Sequence, residues 1–167
     1  MPESAPAIDL AACEALMRGG SKSFFAASGL LPERVRIPAI ALYAFCRMAD
    51  DAIDECGDDP HALAKLQRRL DAIYAGVPGE LLEDRAMAMV VHRYRLPSAL
   101  PAALLEGFAW DAAGRGYDTL DELHDYCARV AGSVGAMMAM VMGVVDKHAL
   151  ARACELGNAM QLTNIAR

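Results

Sequence analysis

Between its turn-forming residues the chain keeps one period: apolar side chains recur at three and four positions, as in LAKLQRRLDAIY, rather than alternating as strands do. A segment with that period has one apolar stripe, which must be covered by another segment of the same kind, so the chain reads as all-α. Breaks at GG (19–20), CGDDP (56–60), GVPG (76–79), LPSALP (96–101) and AGRGYD (113–118) cut it into helix-length pieces. Asp59 before Pro60 predicts an N-cap with proline in the first turn, and Thr119 with Glu122 predicts a capping box. A last helix is expected from about Lys147, still running at Arg167. No repeat, low-complexity tract or linker divides the chain, so one domain over 1–167 is expected, long enough for a sizeable core.

Charge and cysteine usage narrow the function. A formal net charge of −6 argues against a general nucleic-acid binder, which needs a basic face to neutralise phosphates. An acidic chain can still take anionic ligands through metal ions. The five cysteines lie far apart without a CxxC pair, which suggests neither a zinc site nor a disulfide framework and makes a reducing cytoplasm the simplest setting. The start MPESAPAIDL has no basic stretch followed by an apolar run, so no secretory signal is read there. Val130 to Val145 is continuously small or apolar but shorter than the roughly 20 residues of a spanning helix, and is read as a helix buried in protein. The four histidines are isolated, which favours solvated or capping roles over metal ligation.

The stretch YAFCRMADDAIDE, residues 43–55, carries the chemistry. At about 100° per residue, Tyr43, Arg47, Asp50 and Asp54 fall within roughly 60° of one another, with Asp51 beside them. Solvated carboxylates are the ordinary reading of such a stripe. Two costs count against it: acids in a last turn oppose the helix dipole by on the order of 0.3–1 kcal/mol each, and Asp50 and Asp54 repel at i, i+4. A divalent cation would offset both, and carboxylate oxygens suit Mg²⁺, which takes one or two of them, keeps waters and accepts phosphate oxygens. The spacing alone leaves two patterns open: DDxxD through Asp50, Asp51 and Asp54, and DxxxD through Asp50 and Asp54.

Other stretches decide between them. SKSFF (21–25), LLPERVR (30–36), ALYAFCRMADDAIDE, YCARVAGSVG (126–135) and LGNAMQLTNIAR (156–167), in this order, resemble the squalene/phytoene synthase family, most closely its bacterial phytoene-forming members. The resemblance runs from about residue 13 to the last residue. It implies an all-α isoprenoid-synthase (class I terpenoid) helical bundle, here truncated, with a cavity between two Asp-rich helices. By position it makes Asp50 and Asp54 the first DxxxD, holding Mg²⁺, with Mn²⁺ as a substitute, against a substrate diphosphate. Ser21, Lys22 and Ser23 match the phosphate-binding segment, with Phe24 at its end. Tyr43 and Arg47 match the Tyr and Arg before the aspartates, Tyr43 with a catalytic role, and Gln161, Asn164 and Arg167 open the second motif, in which Asn164 would be a metal ligand. Gln161 and Asn164 lie at i and i+3, and a further aspartate at i+7 would share their stripe.

The resemblance also implies a reaction. Two geranylgeranyl diphosphates would condense head to head through a cyclopropylcarbinyl diphosphate to phytoene. No GxGxxG follows a strand-like run, which fits a product that needs no reductant; squalene, dehydrosqualene or presqualene diphosphate chemistry is the alternative within the family. The small residues of 126–135 and Met137, Met138, Met140 and Met142 would line a cavity for a prenyl chain, or simply pack. Two departures stand out. Gly20 replaces the His that many relatives carry, and the second motif's two aspartates would follow Arg167. The chain is therefore expected to be the N-terminal portion of such a domain, inactive or nearly so alone, with the C-terminal half as its missing partner. Greasy substrates allow peripheral membrane contact without an anchor. Outside catalysis, a binding or assembly relative of the same scaffold is the competing class, and a head-to-tail synthase using DDxxD would need Asp51 as much as Asp50.

Overall fold

The computed structural model describes residues 10–56 and 61–167, all of whose regular elements are helical. In chain order they are α1 (Leu10–Gly20), α2 (Lys22–Ser28), α3 (Glu33–Cys56), α4 (Ala62–Tyr74), α5 (Leu82–Tyr94), α6 (Ala99–Ala112), α7 (Leu120–Cys127), a π-helical turn (Ala128–Gly132), α8 (Ser133–Val141) and α9 (Lys147–Ile165). The predicted cap at Asp59 and Pro60 lies outside the described residues. The capping box at Thr119 is formed: its hydroxyl accepts the Glu122 N–H at 3.2 Å, and the Glu122 carboxylate accepts the Thr119 N–H at 3.2 Å. Gly76 (φ 77°) and Gly143 (φ 94°), just past α4 and α8, take left-handed conformations that favour glycine.

α3 is the axis of the bundle. Ala39, Ile40, Ala41 and Leu42 are consecutive and all buried, so the helix is enclosed on every side there by α1, α5, α6 and α8. Pro38 lies inside it and removes the N–H that would bond the Arg34 carbonyl. That carbonyl accepts the Tyr94 hydroxyl at 3.0 Å instead, so α5 supplies the donor that proline withholds. α4 and α5 are clamped by a buried pair: Arg69 Nε and Nη2 each donate to Asp84 at 2.8 Å, and Asp84 is 2% exposed.

Two sequence expectations need correction. LPSALP is a break only in its first residues, because α6 begins at Ala99 and carries Pro101 in its first turn, where a missing N–H costs no helical bond. Val130 to Val145 is not one buried helix: it runs through the π-turn, ends as helix at Val141, and leaves Met142 and Val145 55% and 88% exposed. Of the four methionines, Met137 is core, Met138 lines a cavity, Met140 packs against the core, and Met142 is exposed.

The π-turn packs against both α6 and α9. The Ser133 N–H bonds the Ala128 carbonyl five residues back, and the Ser133 hydroxyl donates to the Arg129 carbonyl at 2.6 Å, satisfying an acceptor that the widened ladder releases. Close approach needs glycine here: a Cβ on Gly107 would lie 2.5 Å from Val130 Cγ1, and one on Gly157 would lie 2.8 Å from the Ala131 carbonyl carbon. Gly135 meets Ala153 and Gly157 meets Ala131, so α9 runs antiparallel to α8 and the π-turn.

Candidate active site

Beyond Cys46 the burial of α3 shrinks to one stripe, Ala49 and Ile53. The opposite stripe therefore carries Arg47, Asp50 and Asp54 out of the core at one end of the bundle. Arg47 Nε donates to Asp51 Oδ2 at 3.1 Å, Nη2 reaches the other Asp51 oxygen, and Nη1 donates to Asp50 Oδ2 at 3.4 Å. Asp51 is thus held by a guanidinium fork along its own helix, whereas Asp54 has no cationic partner among the described residues. Asp50 is reached by one guanidinium nitrogen and Asp51 by two, so Asp50 and Asp54 are less fully paired than Asp51.

Asp50 titrates above the usual carboxylate range. Partial burial is the largest cause and Asp54 the next; Arg47 opposes them, and Asp51 and Asp111 add to the rise. Its neighbourhood is short of positive charge. Among the described residues no three acidic, His or Cys side chains converge into a ready-made metal cage. The donor set fits a hard cation held by one or two carboxylates that keeps its waters, and fits neither a zinc cluster nor a calcium loop.

Tyr43 joins this acidic end to an apolar one. Its ring meets the Phe24 ring edge to face with centroids 6.1 Å apart, and its hydroxyl packs over Gly20, where a Cβ would collide with it and approach Arg47 Cδ at 3.5 Å. The residue in which the chain departs from the family pattern is thus the one the Tyr43 hydroxyl lies on. Burial raises the Tyr43 phenol above its usual value despite Arg47. Behind the ring opens an apolar cavity of about 230 Å³, lined among others by Met17, Leu31, Leu42, Val134 and Met138. Phe24 and Tyr43 both line it, and so does Cys46, whose thiol burial pushes up to about 12.

The other sequence-derived residues divide. Ser21 is the N-cap of α2, its Oγ accepting the Phe24 N–H at 3.2 Å, which is the structural role available to it; Lys22 and Ser23 are exposed in the first turn of that helix. Gln161 is half-buried on α9, while Asn164 and Arg167 are exposed, and among the described residues no hydrogen bond or ion pair joins any of the three to α3. Their position follows from the register. With Gly157 opposite Ala131 in antiparallel helices, Gln161, one turn on, comes level with Cys127 and Tyr126.

That level holds a residue the sequence reading passed over. Asp111, near the end of α6, accepts the Tyr126 hydroxyl at 2.8 Å. Its carboxyl is raised chiefly by burial, Tyr126 lowering it and Asp54 raising it again, so α3 and α6 bring like charges within reach of each other. Next to it, Trp110 is covered by two guanidiniums, Arg115 at 3.9 Å and Arg129 at 4.2 Å from the ring centroid. Nothing in local periodicity marks Asp111, since its partners lie on α3 and α7.

An all-helical bundle in which one helix carries a carboxylate stripe and, a turn or two earlier, lines an apolar cavity is the architecture of a class I isoprenoid synthase. The chain belongs to the squalene/phytoene synthase family, whose model matches residues 17–167. It is 56% identical to a phytoene synthase of Cereibacter sphaeroides and 57% identical to one of Rhodobacter capsulatus, in each case over 95% of this chain and 48% of the relative. Among solved structures it resembles a dehydrosqualene synthase in complex with ligand (TM-score 0.84, 36% identity, 94% of this chain and 55% of that one). A squalene synthase from Alicyclobacillus acidocaldarius is also similar (TM-score 0.83, 27% identity, 93% of this chain and 59% of that one). The chain spans about half the length of the curated relatives it matches. No described helix is long and apolar enough to cross a membrane.

Proposed function

We propose that this chain carries the first substrate-binding half of a synthase that joins two geranylgeranyl diphosphates head to head into phytoene, for carotenoid biosynthesis. The observation that carries the proposal is the continuity of the stripe of Arg47, Asp50 and Asp54, through Tyr43, with an apolar cavity: one end suits a diphosphate and the other a prenyl chain. The names of the relatives favour phytoene over squalene-type products. Asp50 and Asp54 would hold Mg²⁺, or Mn²⁺ in its place, with Asn164 as a further ligand from α9. When bound, that ion neutralises a diphosphate and makes it a better leaving group.

The remaining work falls to the protein's own groups. Arg47, tied to Asp51, keeps the carboxylate stripe in one orientation, and the exposed Lys22 is available to an anion at the mouth. Loss of diphosphate from one substrate leaves an allylic cation, which the double bond of the second substrate captures, with loss of a proton, to form a cyclopropylcarbinyl diphosphate. A second ionisation and rearrangement, ending in loss of another proton, gives the hydrocarbon. Tyr43 and Phe24 present ring faces that stabilise such cations, and the apolar lining excludes the water that would quench them. For the test, the chain is joined to the remaining half of the Cereibacter sphaeroides relative and incubated with geranylgeranyl diphosphate and Mg²⁺. Phytoene is expected, and should vanish when Asp50→Asn and Asp54→Asn are combined. A squalene-type product, or turnover indifferent to those two changes, overturns the reading.

A further inference from the structure

The apolar cavity reaches back from Tyr43 toward the start of α3, where α2 and the loop after it line it through Phe24, Ala27, Ser28 and Leu31. Phe24 and Ala27 are also exposed, so α2 is the partition between cavity and surroundings. Beside Leu31, Leu30 is 89% exposed and adds nothing to the core. Positive charge gathers at the same end. Residues 18–36 carry Arg18, Lys22, Arg34 and Arg36 against one carboxylate, Glu33, in a chain of net charge −6. α5 ends beside them: the Tyr94 hydroxyl bonds the Arg34 carbonyl, and Arg93 and Arg95 flank that tyrosine. Arg34, Arg93 and Arg95 are exposed, and no ion pair among the described residues engages them. Arg34 and Arg93 share an open groove of about 300 Å³ with Ile37, Pro38 and Met89, and Glu33 is the acid that lines it. Unpaired guanidiniums beside an outward leucine match a surface that is anionic outside and apolar beneath. An acidic protein would answer the arginines alone, whereas a bilayer also gives a destination to a hydrocarbon held behind α2.

We infer that the surface carrying Leu30, Arg34 and Arg93 docks on an anionic lipid bilayer, with Leu30 entering the acyl region, and that prenyl chains pass between bilayer and cavity beside α2. The nature of that cargo rests on the proposed function; the docking does not. A prenyl chain released into water would forfeit the hydrophobic gain of its burial, and an exit that opens on lipid avoids that loss. The carboxylate stripe is kept clear of the headgroups. Arg34 and Asp50 lie on the same helix, and their separation along it is roughly 24 Å at 1.5 Å per residue.

The test is co-sedimentation of the 167-residue chain with phosphatidylcholine vesicles, with and without phosphatidylglycerol at roughly a third of the lipid. Binding to the anionic vesicles is expected to fall about fivefold in Arg34→Gln or Arg93→Gln, about 25-fold in the pair and about tenfold in Leu30→Ser, with thermal midpoints unchanged. Two control pairs should change little. Arg68→Gln with Arg152→Gln removes the same charge from exposed sites on α4 and α9, and Leu156→Ser with Met160→Ser removes exposed apolar groups from α9. In Leu30→Trp, the fluorescence added to that of Trp110 in the parent should be quenched by lipids brominated on their acyl chains, a readout that needs no loss of binding. Equal binding to neutral and anionic vesicles, or losses as large in the control pairs, overturns the inference, as does unquenched fluorescence in Leu30→Trp. Binding to neither vesicle also overturns it and leaves the arginines to an acidic protein. The condensation is read separately, by phytoene from the joined enzyme: its failure with vesicle binding intact removes the prenyl cargo and leaves the docking surface, while failure of docking leaves the roles of Asp50 and Asp54 untouched.

Discussion

The contact at Gly157 can be tested with a single methyl group. An added Cβ would sit 2.8 Å from the Ala131 carbonyl carbon and 3.1 Å from Gly132 Cα, and would meet the Ala131 oxygen more closely still. All three are backbone atoms of the π-turn, so no side chain can swing aside. Ordinary carbon–carbon contact is about 3.5–4.0 Å, so α9 would have to withdraw by roughly 0.7–1 Å. Overpacking of this kind costs about 1–3 kcal/mol, and an unyielding backbone puts it in the upper part of that range. Against it stands the helix-propensity gain of replacing glycine by alanine, about 1 kcal/mol. The net expectation for Gly157→Ala is a loss of about 1–2 kcal/mol, a midpoint lower by roughly 2–8 °C for a chain of this size. Thermal and urea unfolding read the stability, and hydrogen exchange along α9 reads whether that helix loosens. A variant as stable as the parent, or more so, would mean that α9 rides freely over the π-turn. The close crossing would then not be what sets the height of Gln161 beside Tyr126.

Two adjacent glycines should respond with opposite signs. Gly19→Ala meets nothing within 4 Å and should stabilise α1 by up to about 1 kcal/mol, whereas Gly20→Ala collides with the Tyr43 hydroxyl and should destabilise; equal signs in urea unfolding refute the packing at Gly20. Removing one partner of the Arg69–Asp84 clamp, as in Arg69→Met, should cost about 3–5 kcal/mol because it leaves a buried charge. The double change Arg69→Met with Asp84→Leu should recover most of that in the same assay. At alkaline pH the raised thiol of Cys46, about 12 in the fold against 9.0 unfolded, binds its proton more tightly in the native chain. Its contribution is therefore complete below pH 9 and lost as pH rises toward 12. Urea midpoints measured from pH 8.5 to 11 should fall less steeply in Cys46→Ala than in the parent, and identical slopes would refute the shift.

Much of this protein is local and was legible without tertiary contacts. Period, caps and breaks place the helices, since propensity and end effects act within one turn or two. The stripe of Tyr43, Arg47, Asp50 and Asp54 follows from helical geometry, and so does the reach of Arg47 to Asp51 at i+4. Local rules placed Pro101 inside a break because proline signals both turns and first turns, and they ran one helix through Val145 because composition says nothing about a π-turn or about where a buried face ends. Only the packed structure sets the opening between Phe24, Leu42 and Val134, the seat of Tyr43 on Gly20, and the approach of α9 over Gly157. Asp111 shows the boundary most clearly. It is 15 residues from the tyrosine that holds it and 57 from the aspartate it repels. Burial and repulsion are sums over atoms that meet only when distant segments close on one another, so neither leaves a mark in the order of the residues.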